Sequence, residues 1–158
     1  MNMVSRALER RRKGQKGFTL VELLVVVIII GILAAVSVPI YLNQRKSAWN
    51  STAESDAKNA QTAVETMMTD NNGAWPSGTT NTPIQCTGGN TGSSTTIGAN
   101  QQVNCSAGVT LSITPAASPS AGTGVYDSYT IEAFHESGTK TYTYDSRSDA
   151  SIQTTNKS

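Results

Sequence analysis

The sequence predicts an α+β protein, in which one long amino-terminal α-helix packs on a small antiparallel β-sheet. Three patterns along the 158 residues support this fold class. An apolar run fills most of residues 18–42, an apolar stripe at helical spacing follows within residues 43–72, and short alternating segments appear in residues 73–158. Residues 1–17 form a separate basic segment. We therefore expect four consecutive parts: a leader, a hydrophobic helix, its amphipathic continuation, and a loop-rich β head.

The leader is marked by its charge. Residues 1–17 contain six basic residues and one acid, Glu9. Without them the chain holds six basic residues against ten acids, a formal net charge of −4, which argues against nucleic-acid binding by bulk charge. Basic residues before an apolar helix place its amino terminus in the cytoplasm. The sequence thus predicts a single pass through the inner (cytoplasmic) membrane, with the carboxyl-terminal part outside.

One carboxylate, that of Glu22, lies inside the apolar run. It is the only acid between residues 18 and 42, and residues 23–36 are apolar throughout. Placing a carboxylate at membrane depth costs about a few kcal/mol of free energy. Such a residue usually has a function and a specific partner. An amine released by cleavage before Phe18 would supply that partner from a neighbouring helix. It would also be within reach inside one chain, since Phe18 and Glu22 are one turn apart. In a third interpretation, Glu22 sits among lipid headgroups and pairs with nothing.

The string Lys16-Gly17-Phe18-Thr19-Leu20-Val21-Glu22 resembles the class III signal of type IV pilins and of their relatives, the type II secretion pseudopilins. The resemblance covers residues 16–41. It implies that a prepilin peptidase cuts after Gly17, that Phe18 is then N-methylated, and that Glu22 pairs with the terminal amine of a neighbouring subunit.

The resemblance also implies the function. The chain would be the structural subunit of an extracellular type IV pilus, a homopolymer built from the membrane by an assembly platform and its ATPase machinery. DNA or a host surface would be a further partner in DNA capture or adhesion; motility is a third use, and the sequence does not choose between them.

Three alternatives remain open at this point. A pseudopilin acting as a short piston for secretion or DNA uptake would have the same amino-terminal half. A long Ser/Thr/Gly-rich loop, an expected disulfide and a sizeable variable region favour the surface-displayed pilin. An ordinary secretory signal cut after Ala35-Val36-Ser37 is disfavoured by the length of the run and by Glu22. A membrane-anchored binding module that never polymerises would not need the processing motif.

Pro39 interrupts the helical pattern once. Proline removes a backbone donor and clashes with the preceding turn, so we expect a kink near residues 35–39. Such a kink would either loosen the helix during assembly or simply mark its exit from the membrane.

Beyond the apolar run, helical spacing continues on one face only. Glu54 and Lys58 form an i,i+4 pair on the solvated face, and the pattern ends at residues 70–73, where Asn and Gly supply a carboxyl-terminal cap. The apolar stripe consists of Trp49, Ala53, Ala57, Ala60, Val64 and Met67.

The head begins as a long surface loop over residues 77–102 in this interpretation, because the segment is rich in Ser, Thr, Gly and Asn and lacks apolar periodicity. Strands are predicted at residues 103–113, 126–135 and 140–144, the last two joined as a hairpin through residues 136–139. We expect a loop over residues 115–124 and a frayed polar tail from Ser146 onward.

Cys86 and Cys105 are the only cysteines, and both lie in the exported part. In an oxidising compartment they most simply form a disulfide, which contributes on the order of 3 kcal/mol by chain entropy. Two cysteines and a distant His135 are too few for a metal site, so no cofactor is expected. No nucleophile and base arrangement surrounds His135, and the protein is not predicted to be an enzyme. The acids around the hairpin match no calcium loop.

Overall fold

A computed structural model describes residues 18–117, 125–148 and 151–157 of the chain. It divides into two compact units, residues 1–42 and 43–158. Among the described residues, the first contains the beginning of helix α1 (Leu20–Asp70), and the second contains the rest of α1 and seven strands. The leader, including Gly17, lies outside the described residues.

In the first unit, α1 is apolar on all sides. Every residue from 18 to 42 is exposed, including the large side chains of Phe18, Leu20 and Ile30. Val and Ile are poor helix formers in water, but in lipid the helix satisfies all backbone hydrogen bonds internally. The helical assignment continues without a break through Pro39. The predicted kink at this residue stays a prediction.

In the second unit, α1 is amphipathic as predicted. Ala53, Ala57, Ala60, Val64 and Met67 are buried, and Glu54 accepts from Lys58 at 2.6 Å on the exposed side. The helix ends at Asp70, as predicted from the capping Asn and Gly residues that follow it.

That cap uses two residues with left-handed backbone conformations. The φ angles of Asn72 and Gly73 are 59° and 83°, and the Gly73 N–H donates to the Met68 carbonyl at 2.7 Å. Glycine adopts this conformation without a Cβ penalty, so the helix stops here.

The strands form two antiparallel sheets. The strand bounds are β1 Ile84–Thr87, β2 Ser93–Ile97, β3 Gln101–Cys105, β4 Val109–Ala116, β5 Ser128–His135, β6 Lys140–Asp145 and β7 Gln153–Asn156. A five-stranded sheet has the order β1-β4-β5-β6-β7, and a hairpin of β2 and β3 forms a separate two-stranded sheet.

The five-stranded sheet has one buried and one polar face. In the central strands, Leu111 pairs with Ala133 and Ile113 with Ile131, and these residues form one buried cluster with the α1 stripe. The alternate residues point to the other face, as the period of two requires. The predicted α+β architecture, a long helix with a small antiparallel sheet, is therefore confirmed.

The predicted loop over residues 77–102 was wrong. It contains β1, β2 and the first residues of β3. The buried residues of these strands are few: Cys86 in β1, Ile97 in β2, and Val103 and Cys105 in β3. Apart from the partly buried Ile84 of β1, their other side chains are polar. These strands are held by pairing with β4 and with each other, a long-range effect that local apolar periodicity does not register.

The single strand predicted over residues 103–113 is two strands. β3 ends at Cys105 and β4 starts at Val109, with a turn between them in which Gly108 has φ 74°. The predicted loop over residues 115–124 also began too early, because Pro115 pairs with Tyr129 at the end of β4. β1 pairs with β4 only as far as Ile113, so proline's missing N–H removes no bond to β1. Residues 118–124 lie outside the described residues.

The tail from Ser146 onward is not simply frayed. β7 pairs with β6, from Thr143 opposite Gln153 to Lys140 opposite Asn156. Beyond the strand, Lys157 donates its backbone N–H to the Thr139 carbonyl at 2.8 Å and its Nζ to the carbonyls of His135 and Glu136. These hydrogen bonds hold the carboxyl-terminal segment in place, although its polar composition predicts no regular structure.

Candidate functional site

The amino-terminal site consists of the first turn of α1. Thr19 lies just before the helix, and Glu22 is the acid of its first turn. The Thr19 backbone N–H and its hydroxyl both donate to Glu22 Oε2, each at 3.1 Å, and the Glu22 N–H donates to Thr19 Oγ1 at 3.1 Å. This is a capping box, in which two backbone donors at the helix start are satisfied reciprocally.

The capping box was not predicted from the sequence, although its signal is present. The pattern Thr-x-x-Glu immediately before an apolar run is the recognised signature of such a helix start. The structure thus gives Glu22 a local partner that none of the three interpretations considered. Its carboxylate also complements the positive end of the helix dipole.

Phe18 precedes the capping box and is 80% exposed. In the unprocessed chain its nitrogen is an amide, so it carries no charge for Glu22 to pair with. The expected pairing between Phe18 and Glu22 requires cleavage after Gly17, which lies outside the described residues. It stays a prediction, as does the role of Pro39.

The exposed helix that follows needs a partner surface. Helix α1 is long and apolar enough in its first part to cross a membrane, by length and composition. Residues 20–42 would extend about 34 Å at 1.5 Å per residue, which matches a hydrocarbon core of about 30 Å. Exposed apolar area of this extent marks a surface that is covered by lipid or by protein.

In the second unit, the expected disulfide joins Cys86 of β1 to Cys105 of β3, and both cysteines are buried. It ties the β2–β3 hairpin to the edge of the five-stranded sheet. Ser106, which follows Cys105, is held by Asp56 of α1. The Asp56 carboxylate accepts hydrogen bonds from the Ser106 N–H at 2.7 Å and from the Ser106 hydroxyl at 3.0 Å. Asp56 is only 5% exposed, and these two bonds offset the cost of burying its carboxylate.

The β5–β6 turn is anchored to α1 by Asn50. Its Oδ1 accepts the N–H groups of Thr139 and Lys140 at 2.9 and 3.2 Å, and its Nδ2 donates to the Thr139 hydroxyl at 3.1 Å. The side chain is 8% exposed, so this polar residue is buried for a structural purpose that the helical pattern did not reveal.

His135 belongs to the same contact. Its ring stacks on Trp49 with centroids 5.5 Å apart, and its Nδ1 accepts the Ser137 N–H at 3.0 Å. The guanidinium of Arg45 lies 4.8 Å from the Trp49 ring centroid. His135 is thus packed between a helix and a turn, where it stabilises the hairpin.

Two tyrosines and one acid form a further polar contact across the core. The Tyr129 hydroxyl donates to Glu65 Oε1 of α1 at 3.1 Å, and its ring contacts Tyr144. Burial, followed by the nearby Glu65 carboxylate, raises the pKa of Tyr129 well above its ordinary value. At the surface, hydrogen bonds from Arg147 lower the pKa of Asp145. Among the described residues, no group of three or more His, Cys, Asp or Glu side chains could hold a metal ion.

Comparison with known proteins bears on the amino-terminal site. Residues 12–38 match the family described as the prokaryotic N-terminal methylation motif. The chain is 48% identical over 56 residues to a type IV major fimbrial protein, FimA, of Dichelobacter nodosus, covering 35% of this chain and 36% of that protein. It is 44% identical over 70 residues to a fimbrial protein of Neisseria meningitidis, covering 44% and 41% of the two chains.

A third relative is the type IV major pilin protein PilE1 of Neisseria gonorrhoeae, 43% identical over 70 residues and covering 44% and 42% of the two chains. The matched stretch therefore spans well under half of each of these relatives. No solved structure matches the chain. The resemblance predicted from residues 16–41 is confirmed for the amino-terminal part.

Proposed function

We propose that this chain, which carries the N-terminal methylation motif of the type IV pilins, is the structural subunit of an extracellular type IV pilus. The observation that supports this most directly is the exposed apolar helix of the first unit, headed by the motif and by Glu22. Relatives that match the same region are named fimbrial proteins and pilins. The proposed role is structural rather than enzymatic.

The proposed steps of processing and assembly follow from the chemistry of the leader, the apolar helix and the second unit. The precursor is held in the inner membrane by residues 18–42, with the leader in the cytoplasm and the second unit outside. Prepilin peptidase cuts after Gly17, and Phe18 is N-methylated. The apolar helices then leave lipid and pack together on the assembly platform, driven by its ATPase machinery. Helix packing keeps the apolar surface out of water throughout.

Glu22 sets the axial register in this proposal. The Phe18 amine released by cleavage is a cation that meets the Glu22 carboxylate of a neighbouring subunit inside the apolar core. A buried charge without its partner is costly, so a misplaced subunit is rejected. Before assembly, the capping box with Thr19 gives the carboxylate two hydrogen bonds within its own chain.

Glu22→Gln tests this role, because glutamine can still complete a capping box but has no charge. We expect the variant to be cleaved normally and to yield at least tenfold less filament in sheared surface material. Thr19→Ala is the matched control, since it removes both hydrogen bonds of the Thr19 hydroxyl and keeps the charge of Glu22. Wild-type filament yield from Glu22→Gln would overturn the register role.

The proposed function itself is tested by intact mass and amino-terminal sequencing of sheared cell-surface material. A chain starting at N-methyl-Phe18 in that fraction is the expected result. Gly17→Ser should retain the leader and disappear from the fraction. Recovery of the processed chain only from membranes would contradict the pilus assignment.

A further inference from the structure

The polar face of the five-stranded sheet carries an open groove. β5 is the central strand of that sheet, and its alternate residues point away from the α1 stripe. The groove has a volume of about 360 Å³, within the range of small-molecule sites. We name it the outer groove and define it by Ser112, Thr114, Thr130, Glu132, Thr143 and Asp145.

Glu132 lies on β5, the middle one of the three strands that carry the residues defining the outer groove. The strand register places Ser112 opposite it on β4 and Thr143 opposite it on β6. An opposite charge on a neighbouring strand would stabilise this carboxylate, but both of its cross-strand neighbours carry hydroxyls instead. Within the described ranges, the Glu132 side chain makes no hydrogen bond or ion pair, whereas Asp145 is paired with Arg147 at 3.1 Å.

This set of groups is suited to a ligand that is itself rich in hydroxyls. Ser and Thr hydroxyls both donate and accept hydrogen bonds, and a carboxylate accepts from two donors at once. A hard cation prefers several carboxylates, and Asp145 is already engaged by Arg147. An anionic ligand would be repelled by Glu132. From these contacts we propose that the outer groove binds a neutral sugar unit of a glycan.

A second depression supports an extended ligand. It has a volume of about 420 Å³ and shares Glu132 and Thr143 with the outer groove. It is further lined by Phe134, Thr141, Thr155, Asn156 and Lys157, whose Nζ is already bonded to the carbonyls of His135 and Glu136. Glu132 therefore lies where two sugar units would meet. In this arrangement the Glu132 carboxylate accepts hydrogen bonds from hydroxyl groups of both sugar units.

Single-site affinity on such an open groove is expected to be weak. If the proposed function holds, a filament repeats the groove in every subunit and gains avidity without any new contact. Binding to the single chain does not depend on that function, so the two proposals fail separately.

The test uses the full-length chain in a zwitterionic detergent without a sugar headgroup. Saturation-transfer NMR is run with three neutral disaccharides (lactose, maltose and diacetylchitobiose) and with the anionic sialyllactose. We expect at least one neutral disaccharide to bind and sialyllactose to bind more weakly. Glu132→Gln should weaken the neutral ligand about tenfold, because it replaces a charged acceptor by a neutral one.

Glu136→Gln is the matched control, since it removes the same charge at an exposed position in the β5–β6 turn, outside the groove. It should leave the affinity unchanged. Thr143→Val provides a second groove variant, should Glu132→Gln lower the unfolding temperature. The proposal is wrong if no neutral disaccharide binds, or if sialyllactose binds more strongly than the neutral disaccharides. It is also wrong if Glu132→Gln and Glu136→Gln lower the affinity equally.

Discussion

At the scale of single residues, Glu22 illustrates how a carboxylate can be carried in an apolar helix. Its two hydrogen bonds from Thr19 stabilise part of the negative charge within its own chain. Hydrogen bonds to ionised groups are stronger than those between neutral groups. The capping box therefore lowers the cost of holding Glu22 near lipid, and it starts the helix at a defined residue.

Asn50 is the residue on which the β5–β6 turn most depends. We expect Asn50→Ala to lower the free energy of unfolding of the second unit by about 1–3 kcal/mol, because it leaves two backbone N–H groups without their acceptor. The fluorescence of Trp49 and Trp75 during urea unfolding measures this change.

Asn50→Asp serves as the comparison for that experiment. Aspartate keeps an acceptor for the Thr139 and Lys140 N–H groups, so its unfolding midpoint should stay near that of the wild type. Ser55→Ala changes an exposed position on the same helix and should have no effect. Equal loss of stability in Asn50→Asp and Asn50→Ala would show that these N–H bonds do not carry the effect.

At the scale of elements, the disulfide links β1, which pairs with β4, covalently to the β2–β3 hairpin. β1 is a four-residue edge strand, and Cys86 is its one fully buried side chain. The double variant Cys86→Ser, Cys105→Ser should lose on the order of 3 kcal/mol, as expected for a loop of this length.

Amide hydrogen exchange locates that loss. We expect β1 and the β2–β3 hairpin to lose protection first in the double variant, while β5 and β6 keep theirs. Uniform loss of protection across all strands would contradict the local role of the disulfide.

The elements that the sequence predicted correctly are those with a local signal. The α1 stripe, the cap at Asn72 and Gly73, and the β5–β6 hairpin all combine regular spacing with turn or cap residues. β1, β2 and β7 have no such signal. Their backbone bonds depend on strands distant in sequence, so their own residues remain compatible with a loop.

Among the site residues, the same distinction applies. Glu22 and the two cysteines were identified from the sequence, because a lone acid in an apolar run and a lone pair of cysteines stand out by type. Asn50 and Asp56 were missed because a polar residue on the edge of a helical stripe does not reveal whether its partner is solvent or a turn distant in sequence.

At the scale of the whole molecule, the raised pKa of Tyr129 predicts how stability changes with pH. In the unfolded chain this tyrosine loses its proton near pH 10, whereas the folded state keeps it. Unfolding then releases a proton, so stability should decrease as pH rises above about 10, by up to about 1.4 kcal/mol per pH unit.

Urea unfolding midpoints across this alkaline range check the effect. Tyr129→Phe should be less stable at neutral pH, because it loses the hydrogen bond to Glu65, but its decline above about pH 10 should be shallower. An equally steep decline in the variant would mean that other groups cause it.

The two faces of the five-stranded sheet also determine how freely the chain can mutate. Substitutions at the buried positions, such as Leu111 or Ile131, create cavities against α1, whereas changes at exposed polar positions typically alter stability by less than about 0.5 kcal/mol. Adjacent residues of one strand therefore differ in how freely they can be substituted: those facing α1 are restricted, and those facing outward are not. Over many generations the outward side chains that lie outside the outer groove could therefore be replaced, one strand after another, while the second unit keeps its fold.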